Sequence, residues 1–266
     1  MNIIVCIKQV LDTDEIQLNP DTNTIVRENV KAIINPFDTY ALEEGLRIKE
    51  NIGIGKVIAL SMGIPSVTEI LREAIGMGVD DAILLSDTIF AGSDTLATAY
   101  ILSMGIKKIG KYDLIICGKQ AIDGDTAQVG PSLAEKLGIP HVTNVKKIEE
   151  INKEFIRCQR LTENGYDVLE IELPALITVV KDINEPRMLS LKGAIKAKKA
   201  FIEVWNAEDV EVDRKRCGLT GSPTKVVKTY TPVYNIQSEF IKGEPYDQAK
   251  KLVDKLFSYN KLKIIK

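Results

Sequence analysis

The sequence predicts an α/β protein: a mostly parallel sheet with helices on both faces, a small antiparallel meander, and a C-terminal arm. Three observations carry this. Short unbroken apolar runs recur at Ile3–Ile7, Val57–Leu60, Ala82–Leu85 and Leu114–Cys117, the pattern of strands buried on both faces. Helical patterns fill the gaps between them, and that alternation belongs to a parallel sheet covered on both sides. After about residue 140 the pattern changes to longer alternating segments separated by turn residues.

Taken in order, the first run, Ile3–Ile7, is followed by Asn35-Pro36-Phe37-Asp38 and the helical stretch Tyr40–Lys49. Asp38 is expected as the N-cap of that helix, with Phe37 free to present its ring or backbone edge to a base. Val57–Leu60 leads into the helical stretch Ser66–Ile75. Ala82–Leu85 leads through Gly92-Ser93-Asp94 into Thr95–Ile106. Thr95 and Thr98 share one helical face, and their hydroxyls either meet a ligand or bond back to the helix. Val142–Ile148, Glu154–Leu161 and Tyr166–Glu172 are expected to form the meander, with Glu163-Asn164-Gly165 as a turn. Ala175–Val180 is a further strand, and a lysine-rich stretch from Ser190 to Lys199 follows. Cys217–Tyr234 shows little sign of a core and is expected to be extended, ahead of an amphipathic helix at Tyr246–Phe257.

Composition narrows the function. The chain has 266 residues, 45% hydrophobic and 27% charged, with 35 basic and 37 acidic side chains and a net charge of −2. That balance gives no electrostatic pull toward nucleic acid or an anionic membrane. No run reaches the roughly 18 unbroken apolar residues of a membrane helix, and the N-terminus enters a strand without a charged leader, so a cytoplasmic protein is expected. The four cysteines lie far apart without a C-x-x-C pair, which argues against zinc or iron–sulfur ligation. Cys6 and Cys117 are read as small buried thiols. The single histidine, His141, has no acid or cysteine beside it in sequence, so neither a catalytic triad nor a metal set is expected.

In a parallel sheet the ligand site lies beyond the carboxyl ends of the strands. The segment Gly118–Pro131 occupies such a place, between a strand and the helix Pro131–Leu137, whose proline suits a first turn. Its glycines allow close backbone approach and a helix N-terminus favours an anion. Thr126 and Gln128 can add hydrogen bonds to phosphate or ribose, while Asp123 and Asp125 suit ribose hydroxyls or capping amides. The spacing matches neither the P-loop nor the G-x-G-x-x-G motif. On chemistry alone, a well-capped strand-to-helix turn remains the other reading.

Asn35-Pro36-Phe37, Gly118-Lys119-Gln120-Ala121-Ile122-Asp123, Asn184-Glu185-Pro186-Arg187 and Lys196-Ala197-Lys198-Lys199 stand in this order and spacing. Together they resemble the electron transfer flavoprotein β-subunit family, over nearly all of residues 1–235. The resemblance implies a Rossmann-like nucleotide-binding domain (1–187), a partner-recognition loop and helix (188–200), and an arm with a helix that packs on an α subunit (201–266). Three stretches resemble the FAD-binding, electron-bifurcating kind: Asp123–Pro131, Asp94–Thr98 and Gly218–Thr224. For such a member the resemblance implies FAD in this chain, with AMP in its place in the simpler members. Cys6, Asn35, Phe37, Asp38 and Met62 would surround the adenosine. Asp123, Gly124, Asp125, Thr126, Ala127, Gln128, Val129 and Gly130 would hold pyrophosphate and ribose, and Thr95 and Thr98 the flavin ring. NADH would be the electron donor, and ferredoxin or flavodoxin one acceptor. The α-subunit FAD would be the other, serving a flavin-dependent dehydrogenase for an acyl-CoA, an enoyl-CoA or a 2-hydroxy acid. Leu191, framed by Lys196, Lys198 and Lys199, would dock that dehydrogenase, an apolar knob in a polar rim. A free-standing nucleotide binder without redox role is the more distant alternative.

Overall fold

The structure is a computed structural model and describes residues 1–12, 32–227 and 238–258. The expectation of an extended segment at Cys217–Tyr234 falls partly outside the described residues. The chain divides into two compact units, Met1–Val227 and Lys228–Lys266.

The first unit is built on one nine-stranded sheet. Its strands are β1 (Asn2–Cys6), β4 (Lys56–Met62), β5 (Asp81–Leu85), β6 (Leu114–Gly118), β7 (His141–Ile151), β8 (Phe155–Thr162), β9 (Gly165–Glu172), β10 (Ala175–Val179) and β11 (Glu203–Trp205). A separate antiparallel pair is formed by β2 (Gln9–Leu11) and β3 (Ala32–Ile34). The order is β11-β5-β4-β1-β6-β10-β7-β8-β9. All neighbours from β11 to β7 run parallel, and β8 and β9 continue antiparallel. The α/β class is therefore as expected, and the meander continues the edge of the main sheet.

Side-chain alternation explains why both faces are covered. Ile3, Val5 and Ile7 point into one core, shared with α1 (Pro36–Ile52) and α2 (Thr68–Met77). Ile4 and Cys6 point into the other, shared with α3 (Thr95–Ile109), α4 (Val129–Leu137) and Trp205. Successive strand residues face opposite ways, so an unbroken apolar run such as Ile3–Ile7 needs a helix layer on each side.

Two local features differ from the sequence reading. Asp38 is not an N-cap: α1 begins at Pro36 after Asn35, and Asp38 sits inside the first turn with its carboxyl turned into the protein. Proline at the first helical position, needing no donor, moved the start upstream. Residues 201–227 belong to the first unit: β11 pairs with β5, and Cys217 and Ser222 are buried. Their β-branched and glycine-rich sequence hides this because the segment packs as turns rather than as a long element. The lysine-rich stretch forms α5 (Leu191–Lys199), capped by Ser190 Oγ, which accepts from the Gly193 amide at 3.0 Å.

In the second unit the described part holds α6 (Pro245–Ser258), none of whose residues is buried. Among the described residues, no helix is long and apolar enough to cross a membrane.

Candidate functional site

After β1 the chain moves to β4 and β5 on one side, then returns to β6 on the other. The carboxyl ends of β1 and β6 therefore bound a topological switch point, where open α/β sheets bind ligands. A cavity of about 350 Å³ lies there, within the range of small-molecule sites.

Asp38 forms its floor. The carboxylate accepts hydrogen bonds from the Lys8 amide at 2.7 Å and the Gly118 amide at 3.2 Å, tying the ends of β1 and β6 together. Gly118 is required here, since a β-carbon would stand 2.3 Å from Asp38 Oδ1 and 2.7 Å from the Phe37 carbonyl carbon. Burial pushes the Asp38 carboxyl up to about 7, against the donors from Asn35, Lys8 and Gly118 that favour its charged form. Cys6 and Cys117 stand in register on the two strands. The Cys117 thiol is held well above the usual range by its hydrogen bond with Cys6 and by burial, which makes it an apolar wall rather than a nucleophile.

One side of the cavity is the loop from Lys119 to Gln128. The Asn35 side chain fixes it from below: Nδ2 donates to the Gln120 carbonyl at 2.9 Å and Oδ1 accepts from the Ile122 amide at 3.1 Å. Gln120 Nε2 donates to Asp125 Oδ1 within the loop. Asp125 and Ala127 each have φ of 53°, a left-handed conformation that non-glycine residues hold at a cost of order 1–3 kcal/mol and that clusters at ligand clamps. Gly130 packs α4 onto the sheet, because a β-carbon would meet Thr178 Cγ2 at 2.4 Å, whereas Gly124 has open space around it.

The opposite wall is the first turn of α3. Asp94 caps it, accepting from the Leu96 and Ala97 amides at 3.0 Å each and from the Thr224 amide at 3.0 Å. Desolvation raises the Asp94 carboxyl, yet these three donors outweigh it and hold the group below the usual carboxylate range. Thr95 Oγ1 donates to Gln128 Oε1 at 3.1 Å and so bridges the two walls.

Of the predicted site residues, Cys6, Asn35, Asp38, Met62, Thr95, Thr98, Gly124, Asp125, Thr126, Ala127, Gln128, Val129 and Gly130 all line this one cavity. Phe37 and Asp123 do not. Phe37 packs its backbone against Gly118, and Asp123 pairs with Lys8 at 2.7 Å. Ile7, Lys8, Ser93, Asp94, Leu102, Cys117, Gly118, Lys119, Gln120 and Ala121 also line it. Most of these follow from extending the strand-end rule by one or two residues. Asp94 had a local signal as well, an aspartate directly before a helical run.

The residues present fit a nucleotide. The side chain of Gln128 makes no cap bond to α4, and the amides of Val129 and Gly130 find no partner inside the helix. Such amides suit a phosphate. Lys119 stands by with no ion-pair partner among the described residues. Cys6, Ile7, Met62, Leu102 and Cys117 give an apolar lining for a ring.

Comparison with known proteins names the fold's lineage. The electron transfer flavoprotein domain family matches residues 22–210. An electron transfer flavoprotein subunit beta from Thermoanaerobacterium thermosaccharolyticum is 49% identical over 97% of this chain and 98% of its own length. The chain belongs to the electron transfer flavoprotein β-subunit family. The caffeyl-CoA reductase-Etf complex subunit CarD of Acetobacterium woodii is 46% identical, covering 96% of this chain and 98% of that one. Protein FixA of Bradyrhizobium diazoefficiens is 44% identical, covering 97% and 91%. As an electron transfer flavoprotein β subunit, the chain serves flavin-linked electron transfer in a pair with an α subunit. That sets aside the reading of a free-standing nucleotide binder without redox role.

The predicted docking residues lie away from the cavity. Leu191 opens α5 and is 82% exposed. Lys196 Nζ donates to the Val79 carbonyl at 3.3 Å, and Lys199 is exposed in the last turn. The segment before α5 is pinned to α1. Arg187 meets Glu43 at 2.7 Å and Glu50 at 2.7 Å, and Asn184 Nδ2 donates to Glu44 Oε2 at 2.8 Å.

Proposed function

We propose that this β subunit binds FAD in the cavity between β1 and β6. There it takes up electrons from NADH, to be divided between ferredoxin or flavodoxin and the FAD of the α subunit. Bound FAD supplies a ring that accepts electrons as a pair and releases them singly. The chain's own residues hold and shield it. The amides of Val129 and Gly130, with Lys119 and the Lys8 side chain, take the pyrophosphate. Asn35 fixes the loop that closes over it. Thr95, Thr98 and Gln128 face the ring, and the Cys6, Met62 and Cys117 side chains keep water from the apolar end.

The observation that carries this reading is the helix amides and the Lys119 ammonium, without partners among the described residues, gathered at the switch point. The names of relatives support the assembly. One belongs to a caffeyl-CoA reductase–Etf complex, which favours a flavin-dependent dehydrogenase or reductase as the final partner. We assign its docking to Leu191, with exposed Met188 and Ile195 extending the apolar patch and Lys196 and Lys199 at its rim. We assign α6, whose Tyr246, Leu252 and Val253 are exposed among the described residues, to contact with the α subunit. The cytoplasm is the expected compartment.

AMP in place of FAD is the second reading, favoured by a cavity volume near the lower end of the small-molecule range. Mass spectrometry of ligands released from the co-expressed αβ pair separates the two. The expected result is about two FAD per pair, one of them reducible by NADH, by the stoichiometry the family reading implies. One FAD with one AMP per pair would overturn the FAD assignment.

A further inference from the structure

A second cavity, of about 410 Å³, lies on the other side of α3 and shares no lining residue with the first. Thr95 and Thr98 face the nucleotide cleft, whereas Leu96, Ala97 and Tyr100 face this groove, with Lys136 of α4 and the turn Lys215–Pro223 completing it. Three cations meet there. Lys136, Lys215 and Arg216 form no ion pair among the described residues. Other partly enclosed cations do meet carboxylates: Lys49 lies 2.6 Å from Asp80 and Arg187 meets two glutamates, and even exposed Arg214 lies 3.7 Å from Glu208. The nearest aspartate in sequence, Asp213, spends its carboxylate on the Lys215 amide at 2.9 Å.

The cations are also held in place. The Arg216 guanidinium lies 3.8 Å from the centroid of the Tyr100 ring, and the Tyr100 hydroxyl accepts from the Asp213 amide at 2.8 Å. Stacking fixes the guanidinium plane and leaves its fork of donors at the edge. The turn behind it is pinned by the Gly221 amide on the Cys217 carbonyl at 2.9 Å and by buried Ser222. The Ser222 hydroxyl donates to the Gly218 carbonyl at 2.6 Å and accepts from the Asp94 amide at 2.8 Å. Burial and the neighbouring Arg216 charge hold the Lys136 ammonium below its usual range. Like charges gathered in a half-enclosed groove repel one another until an anion neutralises them.

We propose that this groove is a binding site for a small molecule bearing a phosphate or diphosphate group, gripped by Lys136, Lys215 and Arg216 with Leu96 and Pro223 as its apolar wall. Three separate cations exceed what one carboxylate neutralises, while the several oxygens of a phosphate can meet each of them. The concavity has the size of a small-ligand site, and an acidic segment of another protein would prefer a flatter charged face. The site stands independently of which nucleotide fills the first cavity.

The test uses the αβ pair with its own nucleotide bound, titrated calorimetrically with inorganic pyrophosphate. Saturable binding at one extra site per pair is expected, weakening as salt is added. Arg216→Gln and Lys136→Gln should each lower affinity by about tenfold or more, with nucleotide content unchanged. Should either variant lower the melting temperature, exposed Lys215→Gln carries the same expectation. Absence of saturable binding, or binding that all three variants leave undiminished, would overturn the proposal. So would protection of Lys136 and Lys215 from acetylation in the pair before any anion is added, because the groove would then be a protein interface.

Discussion

Asp38→Asn tests whether a buried carboxyl holds the floor of the cavity between β1 and β6. Burial raises this group from 3.8 to about 7. Below the lower value it is protonated in both folded and unfolded chains. Between the two values the folded chain keeps the proton that the unfolded chain has lost, so the stabilisation present at low pH disappears as pH rises through about 7. At 1.36 kcal/mol per pH unit, the span corresponds to about 4 kcal/mol. The charged groups and thiols around it are Lys8, Cys6 and Cys117; the remaining contacts are the amides of Lys8 and Gly118 and the Asn35 side chain. Asparagine does not titrate, so the difference between the two proteins isolates Asp38. Denaturant midpoints of the αβ pair are to be measured at fixed protein concentration from about pH 4 to about pH 8. Wild type should lose about 4 kcal/mol relative to Asp38→Asn across that range. A difference that does not change with pH, or one that grows in favour of wild type at high pH, would refute the reasoning.

Gly130→Val should cost about 1–3 kcal/mol by overpacking against Thr178 and lower nucleotide content by displacing the start of α4. Gly124→Ala, with nothing within 4 Å of the new β-carbon, should keep its melting temperature; equal behaviour of the two would mean that α4 packing does not set the cleft. Leu191→Ala should weaken dehydrogenase docking about 30-fold, the equivalent of about 2 kcal/mol. Flavin content and stability should hold, since the residue is 82% exposed, and unchanged turnover at limiting dehydrogenase would place docking elsewhere. Arg187→Ala strands Glu43, whose side chain is only 6% exposed. It should cost about 2–3 kcal/mol in denaturant melts, less than a fully enclosed pair because the arginine is partly solvated.

Strand ends were the most legible part of the site. Unbroken apolar runs gave the central strands, and the rule that ligands sit beyond their carboxyl ends led to Gly118–Gly130 and Thr95. Phe37 lies outside the cavity lining: an aromatic beside a proline looks like a ring offered to a ligand, while in the fold its backbone is pressed onto Gly118. Asp38 has the residue type of a cap, but the proline two positions earlier supplies the helix start, and no local signal marks a carboxyl that joins two distant strands. Nor did sequence spacing reveal the partnership of Cys6 with Cys117, which exists only through strand register. The groove behind α3 was hidden for the same reason: Lys136 and Arg216 are 80 positions apart.

Position β10 has a consequence for how the molecule is made. Residues 175–179 lie between β6 and β7, both of which leave the ribosome earlier. Until β10 arrives, the growing polypeptide holds two half-sheets, β5-β4-β1-β6 and β7-β8-β9, whose facing edges carry unpaired amides and carbonyls. The last strand to be translated among these is thus the one that joins them, and closure depends on contacts distant in sequence, which slows folding. During that interval the open edges can pair with those of a neighbouring nascent chain. That exposure begins once residue 172 has emerged from the ribosome and ends when residues 175–179 emerge and pair with both edges.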